Sequence, residues 1–207
     1  MPELVHGRPT PDTTETVADE DWYGEDIGGR TGEHVEYVDL ELSETTSNGG
    51  VDFSECVFRG THFNRSTHAG ALFANCLFVD CDFFGASFTE CKFIGSTFLR
   101  CKFDRMTVRG GDWSFIAVPG ADLRTVNFEN VRMQEADLTG ARCSGAVLRG
   151  VDLARASLGR IDVAGADLRG SDLSTLDPVS VDVRGAVIDW QQAVTLAKNL
   201  GLDVRSD

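Results

Sequence analysis

The chain is poor in the features that usually announce chemistry. No apolar run reaches 18 residues, so no transmembrane helix and no membrane partner are expected. The opening Met1-Pro2-Glu3-Leu4-Val5-His6 lacks a basic stretch followed by an apolar one, so no secretory signal is expected and the cytoplasm is the default location. Phosphate loops and nucleophile elbows are missing, and no His/Asp pair stands at a useful spacing. The four histidines (6, 34, 62 and 68) do not form the four convergent ligands of a zinc site. The expectation is a protein that is not an enzyme, with no catalytic residue, metal or cofactor. Basic residues are also scarce, with 19 Lys and Arg against 33 Asp and Glu, for a net charge of −14. So acidic a chain repels nucleic acid, and its expected partners are basic protein surfaces.

What is present is a repeat of five. Starting at Phe53, the series runs Phe58, Phe63, His68, Phe73, Phe78, Phe83, Phe88, Phe93, Phe98 and Phe103. It continues through Val108, Trp113, Val118, Leu123, Phe128, Met133, Leu138, Cys143, Leu148, Leu153, Leu158, Val163, Leu168, Leu173, Pro178, Val183 and Ile188. These are 28 centres without an insertion or a deletion. A small or β-branched residue precedes many centres by two, as at Ala71, Cys76, Cys81, Ala86, Ala121, Val126, Ala136, Ala146 and Ala166, often with Asp between.

A period of five matches neither helix nor strand, and sustained self-similarity marks a repeat architecture. Within each five, the centre and the residue two before it share one face of a short extended segment and point inward. The other three positions turn the chain and meet water. Glycine at the last position of many repeats (60, 85, 95, 120, 140, 150 and 170) suits a corner with positive φ. Five of the six cysteines (56, 76, 81, 91 and 101) fall in the small inward slot and Cys143 is a centre, so buried reduced thiols are expected. Cys56/Cys76 and Cys81/Cys101 would stack one coil apart, within reach of a disulfide.

The chain divides into three. Residues 1–24, with Pro2, Pro9, Pro11 and Asp19-Glu20-Asp21, read as an acidic, disordered tail. Trp22 and Tyr23 at its end read as a lid over the first coil, or as a short motif for a partner. Residues 25–190 read as repeats, uninterrupted over 51–190. Leu42 to Phe53 is eleven residues, so one residue is inserted within 45–50. His68 reads as a buried or edge histidine rather than a functional one. Trp113 is large for an inward slot and is either accommodated by Gly111 or locally distorts the register. Residues 191–207 follow as a capping helix and tail. Trp190, Ala193, Val194, Ala197 and Leu200 recur at helical spacing, with Asp189 as N-cap and Gly201 as stop. The helix covers the open end of the stack, where bare strand edges would polymerise.

The repeated Ala-Asp-Leu triplets, as in Ala121-Asp122-Leu123, Ala136-Asp137-Leu138 and Ala166-Asp167-Leu168, resemble the pentapeptide-repeat family. That resemblance implies an all-β solenoid, a right-handed quadrilateral β-helix with four pentapeptides per coil and, here, a short C-terminal capping helix. Phe53-Ser54-Glu55-Cys56, the unbroken repeats and the terminal helix with Gln192-Ala193-Val194 resemble the MfpA/Qnr-like gyrase-binding, fluoroquinolone-resistance subgroup. The match is better to the MfpA-like members, because no large loop is inserted. The subgroup resemblance implies a DNA mimic that binds DNA gyrase and a homodimer joined at the C-terminal end. Val187, Ile188, Trp190, Val194, Leu200, Leu202 and Val204 are the candidate residues for that end.

Charge is uneven. Residues 1–50 carry 13 acids and 2 bases, and residues 51–190 carry 18 and 15. With four sides assumed, the side centred on Phe53, Phe73, Phe93 and Trp113 has a net charge of −3, and the others are near zero. Asp112, Glu135, Asp152 and Asp172 on it form the candidate partner-binding stripe. A structural or scaffolding solenoid with an unrelated partner is the alternative, since a repeat fold does not fix function.

Overall fold

The structure, a computed structural model, describes residues 4–5 and 7–205. Short parallel strands stack into three ladders. One contains Thr31–Glu33, Asp52–Ser54 and Leu72–Ala74. A second runs from Glu15–Ala18 through Val35–Val38, Val57–Arg59 and Leu77–Val79 to Thr97–Leu99. The third extends from Thr46–Asn48 to Val147–Arg149. Single bridges such as His62 to Asp82 and Asp82 to Lys102 make the fourth side. Partners are 20 residues apart, as Phe53 with Phe73 and Phe78 with Phe98, so each coil holds four fives. One stretch pairs residues 21 apart, from Thr31 with Asp52 to Asn48 with Ala69. The extra residue lies at the corner after Asn48, where Gly49 and Gly50 both take positive φ.

The structure gives each position of the five its physical reason. The centres from Phe53 to Leu173 are buried and pack as one continuous core, and Pro178, Val183 and Ile188 at the C-terminal end are half-buried. The slot two before the centre is small because it sits at a corner beneath the previous coil. There Cys76, Cys81, Cys91 and Cys101 donate Sγ–H to the carbonyls of Phe53, Phe58, His68 and Phe78. Ser96 and Ser171 fill the same slot and bond Phe73 O and Leu148 O. All six cysteines are free thiols. The Asp between slot and centre accepts the backbone N–H two residues on, as Asp82 from Phe84 at 3.0 Å and Asp162 from Ala164 at 3.0 Å. These are Asx turns that pin the corner. The last position takes positive φ at Gly60, Gly85 and Gly140, and equally at Arg65, Glu135 and Arg155, where the ladder holds side chains in a region they normally avoid.

The N-terminal boundary differs from the sequence reading of a disordered tail over 1–24. Glu15–Ala18 already pairs in parallel with Val35–Val38, and Asp21 bridges Glu41. The first coil therefore starts at about residue 14. The acidic composition hid it, because its inward centres are only Val17, Trp22, Ile27 and Gly32. Residues 1–3 and 6 of the expected tail lie outside the described residues. Trp22 is not a lid but a core residue, edge-on to Tyr37 at 6.1 Å, with the Arg30 guanidinium 3.9 Å from its ring centre. Tyr23 is exposed.

Phenylalanines stack coil on coil, as Phe63 on Phe83 at 4.7 Å and Phe78 on Phe98 at 4.8 Å, with edge-on contacts around each corner. Trp113 keeps the register: it is buried and lies 4.2 Å from the Phe93 ring. Gly111 carries φ of +82°, and a Cβ there would stand 2.0 Å from the Cys91 carbonyl oxygen, so only glycine fits. His68 is fully buried, stacked on Phe88 with Nδ1 2.9 Å from Ser47 Oγ.

The C-terminal helix spans Trp190–Asn199, with Asp189 as N-cap in a reciprocal capping box with Gln192. It ends at Leu200 and Gly201, whose φ is +82°. The face turned to the last coil is not the Trp190/Ala193/Val194/Ala197 stripe of the sequence reading. Gln192 is the buried residue, and Leu196 packs on the core. Gln192 Nε2 donates to the carbonyls of Leu168 (2.6 Å) and Ser171 (2.7 Å), and Asn199 Nδ2 donates to those of Leu173 (3.1 Å) and Leu176 (2.8 Å). A terminal coil ends in orphan carbonyls, and amides satisfy them where an apolar stripe would not.

Two predictions follow from these contacts. Burial pushes the His68 imidazole down from 6.5 to about 4. Between these values the unfolded chain binds a proton that the folded chain does not, so stability is full above pH 6.5 and is lost as pH falls through 4. The full effect is about 3 kcal/mol. His68→Phe, which extends the phenylalanine stack, is expected to remove that term. Urea unfolding at pH 7 and pH 4 should show the difference between variant and wild type moving by about 2–3 kcal/mol in the variant's favour at low pH; an equal difference at both would refute it. At the cap, Gln192→Leu leaves two buried carbonyls without a donor. A loss of about 2–4 kcal/mol is expected, with faster amide exchange confined to residues 165–200. Unchanged exchange there would show that the amide contacts are dispensable.

Candidate partner-binding surface

The stripe expected to bind a partner lies along one side, where Lys92, Asp112, Arg132 and Asp152 bridge successive coils. The ladder brings Asp112, Asp152 and Asp172 onto one row, with Glu135 at a neighbouring corner. Each is engaged locally. Asp112 Oδ1 accepts Ser114 N–H (3.0 Å), while its Oδ2 faces Arg132 Nη1 at 3.4 Å. Asp152 accepts Ala154 N–H (3.1 Å) and Gln134 Nε2 (2.6 Å). Asp172 accepts Ser174 N–H at 2.8 Å, and Glu135 pairs with Arg155 at 2.8 Å. The row alternates in sign from Lys92 to Asp152, and its aspartates are held by an ion pair at Asp112 and by hydrogen bonds from neutral donors at Asp152 and Asp172.

The same holds around the later coils. Residues 20 apart are vertical neighbours, so an acid and a base at that spacing meet. Asp80 pairs with Arg100, Asp82 with Lys102, Asp122 with Arg142 and Glu129 with Arg109. Asp122 is held down to about 2, chiefly by its hydrogen bond from Arg124. Asp167, held by Arg169 and Arg149, lies well below the usual carboxylate range. Such exposed pairs are worth little to stability, but they remove free charge from the surface.

The first coil is different. Asp12, Glu15, Asp19, Glu20, Asp21 and Asp26 are all exposed. Among the described residues, no cation lies within ion-pair distance of any of them, and Arg30 is spent on Glu25 at 2.7 Å and on the Trp22 ring. Three of the second coil's acids are met by bases of the third: Glu36 by Arg59, Glu41 by His62 and Glu44 by Arg65. Uncompensated negative charge is therefore concentrated at one end of the rod. The sequence reading found the N-terminal excess but assigned it to a tail, because the coil beneath it was not recognised.

The opposite end is apolar. Val187, Trp190, Leu200, Leu202 and Val204 are exposed, joined by Val179, which is 78% exposed, and with Trp190 at 75%. Val194 is half-buried, and Ile188 packs against the core. Among the described residues, no three His, Cys, Asp or Glu side chains converge as metal ligands, and no helix is long and apolar enough to cross a membrane.

The family model described as a pentapeptide repeat region matches residues 71–162. No curated protein gives a significant match. Among solved structures, a trypsin-treated variant of QnrB1, a plasmid-mediated fluoroquinolone resistance protein, is 22% identical, with 92% of this chain and 99% of that chain covered and a TM-score of 0.49. HetL, a pentapeptide repeat protein involved in heterocyst differentiation regulation from the cyanobacterium Nostoc sp. strain PCC 7120, is 16% identical over 85% and 86%, with a TM-score of 0.37. Rfr23, a pentapeptide repeat protein from the cyanobacterium Cyanothece 51142, is 13% identical over 84% of each, with a TM-score of 0.25. Residues 71–162 thus form a pentapeptide-repeat region, and the chain, with its five-residue period and 20-residue coils, folds as a four-sided parallel β-solenoid.

Proposed function

We propose that this protein is a non-enzymatic, DNA-mimic-type binding rod that acts on DNA gyrase or a related topoisomerase. The observation that carries the reading is the set of uncompensated carboxylates on the first coil, held at fixed spacing by a rigid ladder. Coils rise by about 4.8 Å, so an end-on approach offers a compact block of negative charge to a channel lined with arginine and lysine. The choice of gyrase rests on the subgroup resemblance of the sequence, as does any protection against fluoroquinolones. Asp112, Glu135, Asp152 and Asp172 act as a secondary face, because they are already paired or hydrogen-bonded. That local engagement also favours a second reading, a scaffolding solenoid whose later coils carry little net charge. The apolar C-terminal end supports a two-fold contact between copies, in which one patch meets itself.

Inhibition of gyrase supercoiling, with surface binding to purified gyrase across a salt series, tests the partner. Binding is expected to weaken as salt rises. Asp19→Asn, Glu20→Gln and Asp21→Asn together should weaken it about tenfold. Asp112→Asn, Asp152→Asn and Asp172→Asn together keep the turn acceptors and should cost less than about threefold. A larger loss from the second set would move the contact to the solenoid side, and no binding at low salt would leave the scaffold.

Light scattering tests the end-to-end contact separately. A dimer is expected at micromolar concentration, converted to monomer by Trp190→Glu with Leu202→Glu. A wild-type monomer at that concentration would rule the contact out.

A further inference from the structure

The two poles of the solenoid are closed differently. At the C-terminal pole, Gln192 and Asn199 donate to the last coil's carbonyls. At the N-terminal pole the core is sealed but the backbone is not. Ile27 is buried, and Arg30 lies over the buried Trp22 ring. Glu15–Ala18, however, is the terminal strand of its sheet and pairs on one side only, with Val35–Val38. Inner strands bond on both sides, outward residues serving one neighbour and inward residues the other. Thr97 N–H bonds back to Cys76 O at 2.9 Å, and Phe98 N–H bonds forward to Ala117 O at 2.9 Å. Register carries those two positions along the ladder to Thr16 and Val17. Thr16 and Ala18 therefore turn N–H and C=O away from the ladder, and among the described residues no backbone partner meets them. The chain before them does not fold under the pole. Pro9–Asp12 instead line a cleft with His34, Glu55, Asn75 and Gly95, which climb one corner away from it.

We propose that this open edge is a docking site for an extended segment of a partner protein, one in which lysine or arginine alternates with small aliphatic residues, added to the ladder as one more parallel strand. Strand addition pairs main-chain groups that otherwise face water, and alternate side chains set what fits. Charge names the occupant. Glu15, Asp19, Glu20 and Asp21 are exposed at this end, with no cation within ion-pair distance among the described residues. On the next coil such acids are met by bases one coil on, as Glu36 by Arg59 and Glu44 by Arg65. Outward lysines or arginines of an added strand supply the bases that the first coil lacks. On the inward side, Val17 is only half-buried where it packs on the core, so a small aliphatic residue extends its column. The same carboxylates repel the edge of a second copy, which guards the free protein against end-to-end polymerisation. The inference rests on the first coil as the partner-binding end, as proposed above, but not on the choice of gyrase.

The test uses the full chain and a labelled, end-capped peptide of alternating lysine and valine. In the free protein, the amides of Thr16 and Ala18 are expected to exchange faster than those of Val17 and Asp19. Saturating peptide should slow Thr16 and Ala18 roughly tenfold. Methylating the peptide's valine nitrogens removes the donors that face the edge in a parallel strand, and should weaken binding about tenfold, whereas methylating its lysine nitrogens should leave binding intact. Thr16→Pro removes a donor that points away from Val35–Val38, and should weaken binding by a similar factor with the circular dichroism unchanged. If Thr16→Pro unfolds the first coil, the two methylated peptides decide alone. Slow exchange at Thr16 and Ala18 in the free protein would overturn the open edge. Equal binding of both methylated peptides would reduce the contact to charge and overturn strand addition, and loss with the lysine-methylated peptide alone would overturn the parallel orientation. End-to-end oligomers of the free chain that dissociate when peptide is added would reassign the edge to a second copy. Peptide binding without gyrase binding upholds the edge and removes gyrase, and gyrase binding without peptide binding does the reverse.

Discussion

Everything in this molecule hangs on the vertical register of the coils. Each strand is about three residues long, too short to be stable alone, and its hydrogen bonds come from neighbours 20 residues away. A ladder of this kind tolerates no slip, since one residue would turn every centre out of the core. The one extra residue the chain carries is confined to the Gly49-Gly50 corner, where two positive φ values absorb it, and register is regained by Asp52. The same constraint explains Gly111: the coils approach so closely that a single carbon there meets the carbonyl below.

Register also governs the electrostatics. Because residues 20 apart lie on top of one another, the surface charge of the later coils is decided by vertical pairs, not by composition. Asp112 above Arg132 and Asp122 beside Arg142 cancel locally, and many of the aspartates spend one oxygen on a turn N–H. Regularly spaced carboxylates are therefore first a consequence of how the corner is closed. The first coil, where the pairing lattice lacks bases, carries the densest run of exposed carboxylates without an ion pair among the described residues. The two ends of the rod thus differ in kind, one acidic and hydrated, the other apolar and closed by a helix whose amides satisfy the last carbonyls.

His68 and the aliphatic row of Val57, Leu77 and Val79 are departures from the repeat. His68 stays in the core because Ser47, one coil below, supplies a hydrogen-bond partner. Val57, Leu77 and Val79 flank inward phenylalanines on their strands, yet they are buried and form a cluster of their own with Leu99. The period of five places His68 in the core but gives neither its Ser47 partner nor the burial of the aliphatic row.

The period by itself determined the solenoid, the inward centres and the small corner slot that takes Cys, Ser and Ala, and helical spacing after Asp189 marked the capped C-terminal end. These follow from local rules, since two residues share a face and the remaining three must turn. Four fives per coil came from resemblance and is now seen in the pairing of Phe53 with Phe73. Tertiary structure alone decided the rest. Which helix face docks depends on orphan carbonyls that are not in the helix, so Gln192 displaced the apolar stripe. Whether Asp112 or Asp19 carries free charge depends on what stands one coil away. The first coil was read as tail because its acids and prolines outweigh four weak centres, and only the ladder to Val35–Val38 supplies the stabilisation that composition withholds.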